Sequence, residues 1–268
     1  MIAIYGTVPA SQLIRVTTVT TMHDRAVSFG DPIARPSLCA RVVSRTALLG
    51  KDIDAMYGLL SQNFIGVDPQ TFRHDLADKN WVVLLTDGAG VLRGFSTFLM
   101  YATAAAGRPM TVVYSGDTIV EPSAWGSPVL PRAWIRAVYD LWRGQPDGDL
   151  YWLLLTSGFR TYRFMAVFCR MFYPRFDAPT PARVRQVLDA LSIERFGALY
   201  DATTGIVRFP KPQVLRERLV GVPDGRQSDP HVRFFLERNP GHVDGDELVS
   251  LTSLASDNLT PAGRRMLR

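Results

Sequence analysis

Cysteine, lysine and long apolar runs are all scarce in this chain, and each shortage excludes something. Two cysteines, Cys39 and Cys169, cannot make the disulfide framework of a small secreted scaffold. No apolar run reaches the roughly 20 residues that span a bilayer. Residues 1–25 have no basic head followed by a continuous apolar stretch. Neither a membrane span nor a secretory leader is expected, and the expected compartment is the cytoplasm. The histidines, His23, His74, His231 and His242, are scattered without ligand spacing, and neither cysteine has a metal-ligating neighbour, so no metal site is expected. Gly-x-Ser-x-Gly and the Walker phosphate loop are both missing.

Lys51, Lys79 and Lys211 are the only lysines, so the formal charge of +5 comes almost entirely from arginine. Planar guanidinium forks suit phosphate recognition, and a coding bias toward arginine accounts for the composition equally well. A nucleic-acid binder would interleave aromatic stacking platforms with its arginines. Here the aromatics sit in apolar runs and no such motif is present, so that class ranks last.

What is there reads as an ordinary globular chain with enough apolar content, 47%, to bury a sizeable core. Residues 1–40 have mixed polarity, Pro9, Pro32 and Pro36, and no sustained period; they are expected to be an extension, partly disordered. From Ala40 the pattern turns regular. A strand is predicted over 40–46 and a helix over 51–63, where Ile53, Met56, Tyr57 and Leu60 recur at helical spacing. Asp68-Pro69 starts a second helix, running to about Lys79. Strands follow over 81–86, 92–103 and 110–120. A helix over 131–142, an apolar strand over 150–155 and an aromatic helix over 160–172 come next. Beyond these, Thr180-Pro181, Asp229-Pro230 and Thr260-Pro261 start helices, 205–209 is a short strand, and 247–254 is expected as an edge strand. The fold class is thus mixed α/β, one domain over 41–268 with its core in 41–176 and a C-terminal extension of helices and strands.

That order of elements resembles the GNAT superfamily of N-acetyltransferases. Gly94-Phe95 begins the third strand, Val120-Glu121-Pro122 ends the fourth, and Leu153-Leu154-Leu155-Thr156-Ser157 leads into an aromatic helix from Phe159 to Tyr173. The resemblance implies a thioester co-substrate, acetyl- or acyl-coenzyme A, and a small amine or amino-acid acceptor. In the family a loop of the form Gln/Arg-x-x-Gly-x-Gly/Ala wraps the coenzyme A pyrophosphate at a helix N-terminus. The corresponding stretch is Trp125-Gly126-Ser127-Pro128-Val129-Leu130, of which Gly126 and Val129 suit the pattern and the rest departs from it. Three explanations stay open: coenzyme A held differently, for instance by Arg132 and Arg136; a donor carried on an acidic acyl-carrier protein; or an inactive site.

Aminolysis of a thioester needs mainly geometry, since positioning supplies about 7–11 kcal/mol and a general base about 3–5 kcal/mol. The resemblance places a bulge with a free backbone N–H around Asp117–Val120, lined by Thr118, Ile119 and Val120, with Ser127 and Ser157 nearby. The stretch Tyr114-Ser115-Gly116-Asp117-Thr118 is unusually polar for a sheet interior, and its glycine permits a kink. Asp117 is the candidate to receive the amine; on the other reading it merely bonds a neighbouring loop. The family's tyrosine that protonates the departing thiolate maps to Tyr162 or Tyr173, and a core role suits either ring. Six arginines between Arg160 and Arg185 could meet phosphates or a carrier protein, or simply face solvent. A non-catalytic module that binds a partner on the same fold is the competing class. The two readings differ in whether the fourth and fifth strands part into an open slot.

Overall fold

The computed structural model describes residues 37–144 and 148–268. Most of the expected 1–40 extension therefore lies outside the described residues. One sheet organises the rest. In chain order its strands are β1 (Leu38–Ser44), β3 (Trp81–Asp87), β4 (Leu92–Ala105), β5 (Arg108–Val120), β6 (Asp149–Thr156), β7 (Tyr200–Asp201), β8 (Ile206–Val207) and β10 (Glu247–Ser253). Their spatial order is β1-β3-β4-β5-β6-β10-β8-β7. A separate two-residue ladder joins β2 (Phe64–Ile65) to β9 (Val214–Leu215).

Helices cover both faces, which is why β3 and β6 carry continuous apolar runs, over 81–85 and 150–155, rather than alternating. On one face, Val83, Leu85, Phe98, Val113, Trp152 and Leu154 pack under α3 (Val129–Arg143), α4 (Phe159–Phe168), α7 (Pro230–Arg238) and α8 (Pro261–Met266). On the other, Val82, Leu84, Phe95 and Ile119 meet α1 (Gly50–Asn63) and α2 (Pro69–Ala77). Farther along that second face, Tyr114, Leu153, Leu155, Val249 and Leu251 meet α5 (Ala182–Phe196). α3 presents Leu130, Trp134, Ile135, Val138 and Tyr139, a single apolar stripe at helical spacing. Three of the four predicted caps form: Asp68 accepts from Thr71 N–H at 2.7 Å, Asp229 from His231 N–H at 3.0 Å, and Thr260 from Gly263 N–H at 3.0 Å. Thr180 does not cap its helix: α5 begins at Ala182 with Pro181 at the N-cap and no side-chain cap bond.

Two boundaries differ from expectation. The strand over 247–254 is interior, flanked by β6 and β8, because its apolar residues are buried on both faces. The aromatic helix stops at Phe168 rather than Phe172: Cys169 is extended and the chain leaves the helix, with Arg170 N–H bonding Asn258 O at 2.7 Å and Tyr173 N–H bonding Leu251 O at 2.9 Å. Tertiary pairing overrides helical propensity there. Among the described residues no helix is long and apolar enough to cross a membrane.

Candidate active site

β4, β5 and β3 form an antiparallel meander, and β5 runs parallel to β6. The β5–β6 ladder extends from Met110↔Asp149 to Ser115↔Leu154 and stops, although β5 continues to Val120 and β6 to Thr156. The strands part there.

At the same level β5 carries a bulge. Ser96 pairs with Thr118 and Phe98 with Ser115, so Gly116 and Asp117 together oppose Thr97. The extra residue resets the side-chain alternation. Ser115 and Thr118 fall on the α3/α4 face, while Tyr114 and Asp117 fall on the opposite one. Glu121 N–H bonds Arg93 O across β4 at 2.8 Å. By alternation, the N–H and C=O groups of Val120 and Thr118 point away from β4 and into the gap. Trp125 Nε1–H, 2.8 Å from Val120 O, occupies that carbonyl from the gap side.

On the α3/α4 face a cavity of about 30 Å³ opens beneath the parted strands. Ser96, Ser115 and Thr118 form its polar roof, and Trp134, Ile135, Trp152 and Phe164 are among its apolar walls. The roof's hydroxyls are satisfied: Ser96 Oγ and Thr118 Oγ1 lie 2.8 Å apart, and Trp152 Nε1–H donates to Ser115 Oγ at 2.7 Å. The indoles of Trp134 and Trp152 pack tilted by 39° with centroids 4.7 Å apart. The space holds roughly two water-sized spheres.

The opposite face carries charge. Lys79, 7% exposed, follows α2 and runs its side chain over Gly116: a Cβ on that glycine would lie 2.6 Å from Lys79 Cε and 2.4 Å from Thr97 Oγ1. Only glycine fits beneath the lysine. Lys79 Nζ donates to Asp75 O at 2.9 Å and sits 5.3 Å from the centre of the Tyr114 ring. Burial, then the charge of Arg195, push the Lys79 ammonium below the usual lysine range, against the pull of Asp117, Asp75 and Asp78. Arg195 also lies over the Tyr114 ring, 4.7 Å from its centre, and pairs with Asp78 at 3.6 Å.

Two carboxyls stand out on this face, Asp117 near the lysine and Glu247 near Asp117. Burial lifts Asp117 to about 6 despite the nearby Lys79. Glu247, at the start of β10 on the far side of the gap, is lifted to about 8 by burial and then by Asp117 and Asp75. Both values lie well above the ordinary carboxylate range, and the two groups repel each other's charge. Such coupled carboxyls titrate as a set.

The outer end of the gap is bridged. Arg160 stacks over the Trp125 ring at 4.7 Å and the Phe159 ring at 4.6 Å. Arg160 also donates to Leu219 O at 2.5 Å and Gly221 O at 3.2 Å, within the segment that carries β9 and α6 (Glu217–Val220). That strap starts at the α1–β2 corner, where Arg216 N–H bonds Asn63 O at 2.9 Å. Leu215 lies over Gly158, just past the end of β6, where a Cβ added to that glycine would sit 3.3 Å from Leu215 Cδ1.

The residues singled out from the sequence thus divide. Asp117, Thr118, Val120 and Ser157 converge on the gap. Ile119 turns its side chain into the core and pairs with Phe95. Gly126 (φ +81°), Ser127 and Val129 form a tight turn into α3 whose N–H groups are spent internally: Ser127 on Ala124 O at 3.3 Å and Val129 on Ser127 Oγ at 3.3 Å. Pro128 and Pro131 have no N–H, and Arg132 N–H closes on Pro128 O at 2.9 Å. A pyrophosphate cradle of the family's kind does not fit these residues. Arg132 does keep a buried Nε without a partner. Tyr162 is fully buried against Phe172, Phe234 and Phe235 and donates its hydroxyl to Pro174 O at 2.9 Å. Tyr173 pairs along β10, so its backbone stands three strand spacings, roughly 14 Å, from β5. Neither hydroxyl lines the cavity. Sequence reasoning missed Lys79 and Glu247. Lys79 read as an ordinary cation at a helix end, and Glu247 opened what looked like an edge strand.

No family model matches the sequence, and no curated protein matches it. Solved structures do. A ribosomal-protein-alanine N-acetyltransferase from Brucella melitensis matches at 14% identity and a TM-score of 0.37, over 48% of this chain and 89% of that one. A GNAT family N-acetyltransferase from Escherichia coli, solved with CoA, matches at 17% and 0.33, over 53% and 72%. A conserved protein of unknown function from Enterococcus faecalis, described as a probable N-acyltransferase, matches at 11% and 0.40, over 81% and 66%. The fold assignment rests on the chain's own strand order and on the parting of β5 from β6. By that topology the fold is a divergent version of the GNAT type.

Proposed function

We propose that the protein is an N-acyltransferase that moves a short acyl group from a thioester to a small amine by direct attack. One observation carries this reading: β5 and β6 part beside a bulge, leaving the N–H groups of Thr118 and Val120 turned into a gap with a titratable cluster on one side. A thioester carbonyl in that gap would accept from these amides, an interaction typically worth about 3–4 kcal/mol in the transition state. The acyl group would enter the cavity under Trp134 and Trp152, where about 30 Å³ suits two or three carbons.

The amine would approach from the Asp117 side. It arrives as an ammonium, drawn by Asp75 and Asp117. Asp117, at about 6, is mostly ionised at neutral pH and takes its proton. Glu247, at about 8, is mostly protonated there and can return a proton to the departing thiolate, the role that resemblance assigned to a tyrosine. Two carboxyls driven apart in pKa make an acid and a base from the same chemistry.

The donor's handle is a separate matter. The turn into α3 offers few amides to a pyrophosphate, so coenzyme A would need Arg132 and Arg136, and an acyl-carrier protein remains the alternative carrier. A second reading, a non-catalytic binding module, is favoured by the Arg160–Trp125 stack that bridges the outer end of the gap. Mass spectrometry of reactions between acyl thioesters of graded length and an amine library separates the two. Acylated amines are expected for acetyl and propionyl donors, with at least about a tenfold loss of rate in Asp117→Asn. An absence of product with every donor would favour the module.

A further inference from the structure

We propose that Lys79 is itself an acyl acceptor, so that the protein acylates its own buried lysine when thioester is present and no amine substrate is. The inference rests on the acyl-transfer reading of the site, and it follows from where Lys79 lies. Its side chain crosses the bulge directly over Gly116, the residue at which β5 leaves β6. That is the face from which an acceptor amine must come, with Asp117 next along the strand. Lys79 forms no ion pair among the described residues, and its hydrogen bond is to a carbonyl, Asp75 O. A buried ammonium without a carboxylate in contact loses its proton more readily than an exposed one. The charged groups around it are Asp75 and Asp78 from α2, Asp117 from β5 and Arg195 from α5. Burial and Arg195 favour the neutral amine, and Asp117 stands ready to hold the proton released.

The step balances without any further reagent. The lone pair of neutral Lys79 Nζ attacks the thioester carbonyl carbon, and a C–N bond forms as the C–S bond breaks. The proton leaving nitrogen passes to the Asp117 carboxylate, and the thiolate takes one from Glu247 or water. The product is an amide on Lys79 that fills the acceptor position and removes the positive charge facing Asp117. The protein would then be self-limiting whenever acceptor is scarce.

The chain contains its own controls, because Lys51 and Lys211 are the only other lysines and both are exposed. Uncatalysed acylation favours exposed lysines, so preference for the buried one cannot come from solution chemistry. The full chain is incubated with acetyl-CoA, and separately with the acetyl thioester of N-acetylcysteamine, which has no diphosphate to bind. Each lysine is then quantified by peptide mass spectrometry. Lys79 is expected to gain one acetyl group at least about ten times faster than Lys51 or Lys211. Asp117→Asn, checked for an unchanged circular dichroism spectrum, is expected to abolish that preference, and a good amine acceptor should suppress it by competition. Labelling of Lys51 and Lys211 with Lys79 untouched overturns the proposal. If added amines are acylated in the same tubes, the acyltransferase reading survives that failure; if they are not, both fall together.

Discussion

At the scale of single residues, the proposed chemistry and the stability of the fold pull against each other in this site. Asp117 and Glu247 have folded-state pKa values of about 6 and about 8, above the 3.8 and 4.5 of unperturbed side chains. The folded protein therefore binds more protons than the unfolded chain between about pH 4 and pH 8, and these carboxyls lose it stability as pH rises through that window. Glu247→Gln removes the penalty. After discounting for partial exposure, it is expected to stabilise the fold by about 1–2 kcal/mol at pH 8, a rise in Tm of roughly 2–6 °C, and to do almost nothing at pH 4. Calorimetry at the two pH values measures both effects; a loss of stability at pH 8 would contradict the burial argument.

Gly116 is the other residue on which the site depends. Its φ is unexceptional, and its side chain is missing for want of space. Gly116→Ala is expected to cost about 1–3 kcal/mol by forcing Lys79 and Thr97 apart, and to lower activity by more than its stability loss accounts for. Thermal melts paired with turnover on the same sample separate the two. The position of Asp117 at an irregular strand end was legible in the sequence, because a polar run with a glycine inside a strand needs a reason. Glu247 and Lys79 were not, since their meaning comes from chain segments far apart in sequence that the sheet brings together.

At the scale of elements, the decisive feature is a one-residue excess in β5 opposite Thr97. A polar run with a glycine in a strand interior signalled an irregularity, and the strand positions themselves could be read from apolar runs and turn residues. The short strand expected over 205–209 does contain β8, but β2, β7 and β9 could not be read, because ladders that short leave no periodicity. The strap around β9 was invisible for the same reason, yet it holds Leu215 and Arg160 against the outer end of the gap. Arg160→Ala should loosen that bridge by removing its stack on Trp125 and its bonds to Leu219 O and Gly221 O. The expected result is a lower KM for bulky thioesters with little change in kcat; an unchanged KM would assign the stack to stability alone. On the α3 side, Trp134→Phe enlarges the cavity, and the preferred acyl length is expected to rise by one or two carbons in competition between acetyl and butyryl donors.

At the scale of the whole molecule, the sheet separates two chemical environments across one gap. An apolar cavity between Trp134 and Trp152 lies on one face, and the Asp75–Lys79–Asp117–Glu247 cluster on the other. The order of the longer strands and helices was readable because they carried their own period, and three helix starts their own cap. What lay beyond reach was that β10, far along the chain, enters beside β6 and delivers Glu247 to the far side of the gap. The pH dependence of kcat/KM for acyl transfer to a small amine tests this arrangement most directly. Rates should climb as Asp117 ionises near pH 6 and decline as Glu247 loses its proton near pH 8, with Asp117→Asn flattening the acidic limb. A wild-type profile that is level across that range, or one that Asp117→Asn leaves unaltered, would contradict the account.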